Sequence, residues 1–334
     1  MGSAIDRRAF GLGLIGAAGL AATSAKAATV LKIGHVLAAN HPFQKGLEKA
    51  GAELEKRTEG RVQLQIFPSS QLGSERDMHV AVRGGSVDMV LASPGGASVH
   101  LKELAVIDAP YLFRDDAHWR AVVYGPIGKA WEEKIVEASG VHIVGWFHRG
   151  TRHVISKSKP FNTLAEMKGQ KIRVADFPPF PQVFKALGAV PTPIAFAEMY
   201  SALQSGIVDG ADTPLDTILS MKLYETAKYA NLISWSYAAP GVIVMSDQAY
   251  KSLSPADRDA LVASLRIGTD LIAETFISGD EDVKKQLVAN GMQLVVPTDL
   301  DAWRKAAAEQ AIPDLARAWG GDVQLYTKIR DYKA

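Results

Sequence analysis

Val30-Leu-Lys-Ile-Gly-His35, a stretch from Pro42 to Thr58 with apolar or small residues at helical spacing, and Val62-Gln-Leu-Gln-Ile-Phe67 follow one another near the start of the chain. The first and last read as strands, the last by its clean alternation, and Gly60 ends the helix between them. Strand, helix and strand in this order argue for a parallel α/β lobe, because the helix supplies the crossover that two parallel strands need.

Further along, the same kind of junction occurs twice. Ala81-Val-Arg-Gly-Gly85-Ser-Val87-Asp88-Met-Val and Ala202-Leu-Gln-Ser-Gly206-Ile-Val208-Asp209-Gly-Ala both read as a helix end, a glycine stop and a strand opening with Val-Asp. Glycine just past a helix takes the left-handed conformation that ends it. A common junction met twice by chance would look the same; the sharper reading is two similar lobes with a ligand in the cleft between them. Thr163-Leu-Ala-Glu166 is a capping box that opens a short helix closed by Gly169. Ser254-Pro255-Ala-Asp257 opens a helical pattern that runs through Leu261, Leu265, Ile272, Phe276 and Val283 to Asn290-Gly291. About 36 residues at about 1.5 Å each reach roughly 54 Å, more than one small lobe covers. This helix either lies across both lobes or kinks near Gly268 or Ser278-Gly279.

The clue to chemistry lies in Met167-Lys-Gly-Gln-Lys-Ile-Arg173-Val174-Ala175, just after the Thr163 cap. Ile172 and Val174 point to one side of an extended segment and Arg173 to the other. Both faces of a parallel α/β sheet are usually covered, so this guanidinium needs a partner. That partner is either an internal acid or the carboxylate of a ligand, and no local acid presents itself.

Downstream run Leu187-Gly-Ala-Val-Pro-Thr-Pro193 and Phe196-Ala-Glu198-Met-Tyr-Ser-Ala-Leu-Gln-Ser-Gly206-Ile-Val-Asp209-Gly210-Ala-Asp-Thr213-Pro214. Together with Phe67-Pro-Ser-Ser-Gln-Leu-Gly73, Asp108-Ala-Pro-Tyr-Leu-Phe113 and Gly150-Thr-Arg152, this string resembles the substrate-binding proteins of tripartite ATP-independent periplasmic (TRAP) transporters, the C4-dicarboxylate-binding type. The resemblance covers essentially the whole chain after its first residues. It implies a two-lobed periplasmic binding protein fold of the α/β class, with parallel-rich sheets, a long helix spanning both lobes and segments exchanged between them. The expected division is 28–149 with 239–278 in lobe I and 150–238 with 279–334 in lobe II.

By the same resemblance Arg173, in the family's K-x-R-V motif, is the principal carboxylate clamp, and planar bidentate recognition suits that task. A purely structural salt bridge is the alternative. Arg152 takes the second cationic position; Arg149 competes with it, though a solvated turn charge is its default reading. His148 and His153 read as satisfied or exposed histidines. Asp212-Thr213-Pro214 stands where many relatives carry Asn, and Thr213 offers one hydroxyl in its place. Ser93 and Gly96 replace the charged groups of sialic-acid-binding relatives, which argues against that ligand. Three prolines in Asp176-Phe177-Pro178-Pro179-Phe180-Pro181 stiffen one wall. Phe177 or Phe180 could cover an apolar or sugar-ring face, with core packing the alternative. Phe196 matches an F-x-E motif expected to line the cleft, with Glu198 supporting the fold, and Glu75 matches a family acid near it. His35 ends the first strand, where ligands enter open α/β sheets. The candidate ligand-binding set is therefore Arg173, Arg152, Thr213, Phe196, Ser93, Glu75, His35, Phe177 and Asp212.

The first residues read as an export signal: Asp6-Arg7-Arg8-Ala9-Phe10, an apolar Gly/Ala-rich run from Gly11 to Ala22, and Ala25-Lys26-Ala27. A twin arginine, a moderately apolar core and an A-x-A-like site describe a twin-arginine signal peptide over residues 1–27, with a periplasmic destination. Gly11-x-Gly13-x-x-Gly16 within it is no dinucleotide site, since no strand precedes it. Without the leader the net charge passes from +1 to −1, so there is no polybasic face for nucleic acid or membrane surfaces. No cysteine is present, which removes disulfide and thiol chemistry. No G-x-S-x-G elbow, H-E-x-x-H or P-loop occurs, so a secreted enzyme on a similar scaffold is the rival reading, and neither cofactor nor metal is expected. The expected protein is a monomeric capture protein that hands a small organic acid to TRAP membrane subunits. A sugar acid such as a uronate or aldonate leads, followed by a C4-dicarboxylate and then a 2-oxo or aromatic acid.

Overall fold

The protein's structure, a computed structural model, describes residues 27–237 and 240–333. Residues 1–26 of the proposed leader, its glycine run included, lie outside the described residues. Strand β1 (Thr29–Gly34), helix α1 (Pro42–Arg57) and strand β2 (Val62–Phe67) form the opening unit, with β1 and β2 parallel from Thr29↔Val62 to Gly34↔Phe67. Thr58 fastens its corner: the hydroxyl donates to the Leu54 carbonyl at 2.8 Å and accepts from the Val62 amide at 3.1 Å. The helix's last turn is thereby tied to the start of the strand.

The remaining strands are β3 (Met89–Ala92), β4 (His142–Phe147), β5 (Arg152–Ser156), β6 (Lys171–Val174), β7 (Val190–Pro193), β8 (Gly210–Pro214), β9 (Tyr229–Ser236), β10 (Gly241–Met245) and β11 (Gln293–Val295). They build a five-stranded sheet in the order β2-β1-β3-β10-β4 and a six-stranded sheet in the order β11-β9-β5-β8-β6-β7. The chain passes to the second sheet between β4 and β5 and returns between β9 and β10. The strands delivered by those two crossings, β5 and β10, run antiparallel to both neighbours.

The repeated Val-Asp junction has one physical cause in both sheets. Helix α2 (Glu75–Arg83) ends near Gly85 at φ +77°, and the helix Met199–Ser205 ends at Gly206 at φ +78°. The following Asp88 then accepts from the Lys32 amide of β1 at 2.8 Å, and Asp209 accepts from the Lys171 amide of β6 at 2.8 Å. Each aspartate thus pins the start of its strand beside a parallel neighbour. The short helix expected after Thr163 is a single 3-10 turn, Leu164–Met167, with Glu166 accepting from the Thr163 amide at 3.1 Å.

The long helix is continuous over 35 residues, Pro255–Ala289, with the Ser254 hydroxyl capping the Asp257 amide at 3.1 Å. It does not break at Gly268 or Gly279. Gly268 instead permits close approach to α1, since a Cβ there would stand 2.3 Å from the Gly46 carbonyl oxygen. The helix packs on α1 and β4 on one side of the molecule and on the helix Leu215–Ser220 and β11 on the other, so it spans both units. The C-terminal residues add a second connection. Trp303 and Trp319 share a core with Trp119 and Trp131, and the Tyr326 hydroxyl donates to the Pro110 carbonyl at 3.0 Å. Residues 279–334, expected in the second lobe, thus also touch the first.

Candidate functional site

Between the two sheets lies a cleft of about 500 Å³. One wall comes from the residues just after β1 (Val36 and Leu37), the start of α2 (Gly73–Arg76) and the end of β3 (Leu91–Ser93). The other comes from Arg152, Arg173, Phe177, the segment Pro193–Glu198, Thr213 and Thr217. Several of these positions follow the carboxyl ends of parallel strands, the usual place for a ligand in open α/β sheets.

Arg173 is 3% exposed, between Ile172 and Val174, which are fully buried. Its Nε donates to the Ile194 carbonyl at 3.0 Å, and its guanidinium carbon lies 6.0 Å from the centre of the Phe196 ring. No carboxylate among the described residues lies within ion-pair distance of it. Its terminal nitrogens, Nη1 and Nη2, carry no hydrogen bond to any described residue. Burial pushes its pKa down to about 10, opposed by Asp212, reinforced by Arg152 and opposed again by Glu75. The group is therefore a cation throughout the neutral range.

The other arginines of the cleft are already paired. Arg152 holds Asp212 through Nε at 3.2 Å and Nη2 at 2.5 Å, and the Trp235 indole N–H donates to the same carboxylate at 2.8 Å. Arg149 donates to Asp108 at 2.8 Å, while the other oxygen of Asp108 accepts from the Gly95 amide at 2.8 Å. Burial pushes the Asp108 carboxyl up, and Arg149 opposes that shift. Arg76 reaches from α2 to the opposite wall, where its Nη2 donates to the Asp176 carbonyl at 2.7 Å and to its carboxylate at 3.1 Å. The same guanidinium lies 5.1 Å from the centre of the Phe177 ring.

Glu75 sits in the first turn of α2, which Ser74 and Asp77 cap reciprocally. Its Oε1 accepts from the Ser93 amide at 2.7 Å and from the Ser93 hydroxyl at 2.5 Å. The Ser93 oxygen accepts in turn from the Gly96 amide at 2.9 Å. Behind this pair His79 and His100 face each other at 3.2 Å, with pKa values pushed down to about 3 by burial.

Of the candidate residues, Arg173, Arg152, Thr213, Phe196, Ser93, Glu75 and Phe177 line the cleft. His35 and Asp212 do not. His35 is fully buried, with Nε2 3.0 Å from the Gln44 side chain of α1, because the chain turns it toward that helix. Asp212 is fully buried behind Arg152 and serves it as counter-ion. Phe180 packs on Trp235 in the core, 5.6 Å between ring centres, and is not part of the wall. His148 and His153 are buried and accept from the Gly150 and Ser234 amides at 2.9 and 3.2 Å, but Nε2 of His148 has no hydrogen-bond partner among the described residues. Arg149 is no solvated turn charge, since its side chain is 10% exposed and ion-paired. Sequence reasoning missed the Arg76–Asp176 and Arg149–Asp108 pairs. Asp108 stood in a quoted motif, but nothing local tied it to an arginine 41 positions on. Among the described residues no group of three or more His, Cys, Asp or Glu could hold a metal ion, and no helix is long and apolar enough to cross a membrane.

Residues 33–312 match the family model for bacterial extracellular solute-binding protein, family 7, designated DctP. A solute-binding protein of Verminephrobacter eiseniae is 33% identical over 285 residues, covering 85% of this chain and 84% of that protein. A TRAP periplasmic solute-binding protein from Polaromonas sp. JS666, solved bound to D-erythronate, superposes with a TM-score of 0.85 at 33% identity, covering 92% of this chain and 99% of that one. Another from Sulfurospirillum deleyianum, solved with bound succinate, gives 0.84 at 26% identity, covering 92% and 100%.

Proposed function

The chain belongs to family 7 of the bacterial extracellular solute-binding proteins, a solute-binding component of transport and not an enzyme, and on that premise we propose that its cleft captures a small organic carboxylate for a TRAP permease. Arg173 clamps the carboxylate, Thr213 and Phe196 orient the rest of the molecule from the same wall, and Glu75 and Ser93 meet it from the other. Closure around the ligand requires contacts to both walls, because a ligand that touches one alone shifts no equilibrium between open and closed forms. A sugar acid is the favoured ligand; a C4-dicarboxylate, as in the succinate-bound relative, is the second reading. The protein works in the periplasm, exported by the twin-arginine leader over residues 1–27.

One observation carries this reading. Arg173 is buried, cationic and unmatched by any carboxylate of the described residues, and a buried charge left so costs several kcal/mol, about 3–5 by the loss of a buried partner. A ligand carboxylate offsets that cost. The test is thermal unfolding of residues 28–334 against sugar acids, C4-dicarboxylates, 2-oxo acids and aromatic acids, each beside its uncharged amide. At about 100 times Kd a ligand adds roughly 2.7 kcal/mol. A shift with an acid and not with its amide, abolished in Arg173→Ala, supports the reading; no shift across the panel contradicts it.

A further inference from the structure

We propose that the ligand carries a single negative charge, and that Glu75 is the specificity residue that turns away a second carboxylate while accepting hydroxyl groups. This inference rests on the reading of the cleft as an organic-acid site and narrows it.

The argument is one of charge balance. Four arginines line the cleft, which at first sight suits a dianion. Three of them have carboxylate partners within the protein: Arg76 with Asp176, Arg149 with Asp108 and Arg152 with Asp212. Asp108 and Asp212 are fully buried, so neither can exchange its arginine for water when a ligand arrives, whereas the Arg76–Asp176 pair is half exposed and bridges the two walls. Only Arg173 among the described arginines of the cleft has no carboxylate partner. One carboxylate satisfies it.

The opposite wall carries the reverse charge. Glu75 lines the cleft, and its Oε1 accepts two hydrogen bonds from Ser93, whose donors are neutral and leave the negative charge in place. His79, with Nε2 4.0 Å from that oxygen, is held neutral by burial and does not cancel it. Glu75, on α2, and Arg173, on β6, line the same cleft from its two walls, and the Glu75 charge acts on the Arg173 guanidinium. A molecule seated on Arg173 therefore presents its far end to a carboxylate. Hydroxyl groups there can donate to it; a second carboxylate would face a like charge, and the neighbouring Arg76 is already engaged by the Asp176 carbonyl and carboxylate and by the Phe177 ring. The ligand class is a polyhydroxy monocarboxylate.

The experiment is titration calorimetry of the leaderless chain, and of Glu75→Gln, with matched pairs that differ only at the far end: four- and six-carbon aldonates, each beside the aldarate of the same configuration, with succinate alongside. Glutamine keeps an oxygen for both Ser93 donors and removes only the charge, and its melting temperature checks that the fold is unchanged. The expected result is an aldonate binding at least about tenfold more tightly than its aldarate, with the ratio collapsing in Glu75→Gln. An aldarate or succinate binding as tightly as the best aldonate would overturn the inference while leaving the organic-acid site in place. So would a ratio that Glu75→Gln does not change. Failure of every acid to bind would overturn the organic-acid reading and the inference with it.

Discussion

Arg152 and Asp212 meet in a buried, two-pronged ion pair: Nε of the arginine lies 3.2 Å from both carboxylate oxygens and Nη2 lies 2.5 Å from Oδ2. The pair joins β5 to β8, and the Trp235 indole on β9 completes it, so three neighbouring strands of the second sheet converge on one carboxylate. The arginine that the sequence offers as a second ligand clamp is thus held from behind by the acid beside Thr213.

Removing that acid should be costly. Asp212→Ala leaves a buried guanidinium and an indole N–H without their acceptor, and a loss of about 3–5 kcal/mol is expected in urea unfolding. The double variant Arg152→Ala/Asp212→Ala should lose less than the two single variants summed, because it leaves no buried charge alone. Strict additivity would show that the pair is not coupled.

Acid should destabilise the protein well above the carboxylate range. Burial depresses the pKa of His41, His79, His100 and His153 to about 3 and that of His148 to about 4. In the unfolded chain each protonates near 6.5 and in the folded chain it does not. Stability is therefore complete above about pH 7.5 and falls as the pH drops through 6.5 toward 3–4, with each histidine costing about 1.4 kcal/mol near pH 5.5. Urea unfolding between pH 5 and 8 measures this, and a flat profile would contradict it.

Asp216 should act with the opposite sign. Burial, with a smaller contribution from Asp280, raises its pKa to about 7, so the folded state keeps a proton that the unfolded state loses near 4. Its contribution is present below about pH 4 and is lost as the pH rises through about 7. Asp216→Asn removes this dependence. Relative to the parent, the variant should gain stability between pH 5 and pH 7.5, on the order of 1–3 kcal/mol.

Two glycines of the long helix should respond oppositely to alanine. At Gly268 the new methyl would stand 2.3 Å from the Gly46 carbonyl oxygen, and two helix backbones must part to admit it. Overpacking of this kind costs about 1–3 kcal/mol, more than the roughly 1 kcal/mol that alanine gains in a helix. At Gly279 nothing lies within 4 Å, so Gly279→Ala should stabilise by about 0.5–1 kcal/mol. Thermal unfolding of both variants compares them directly.

What could be read in the sequence was local. The unit β1–α1–β2, the Ser254 cap and the two Val-Asp junctions each depend on residues a few positions apart, where periodicity and capping chemistry act. Arg173 was legible because its apolar neighbours on both sides forced it into a buried strand. The partners of the other arginines were not, since Arg149 and Asp108 stand 41 positions apart, Arg152 and Asp212 60, and Arg76 and Asp176 100. Only the assembled sheets bring those charges together. His35 lies off the cleft for the same reason: it stands at a strand end, but α1 packs where its side chain turns.

The central claim is that Arg173 captures a carboxylate. Titration calorimetry of the best-binding acid and of its amide, against residues 28–334 and against Arg173→Ala, tests it most directly. The account predicts that the acid binds the parent and loses roughly 30-fold or more in affinity in the variant, while the amide binds both weakly. Equal affinity of the acid for parent and variant would contradict it.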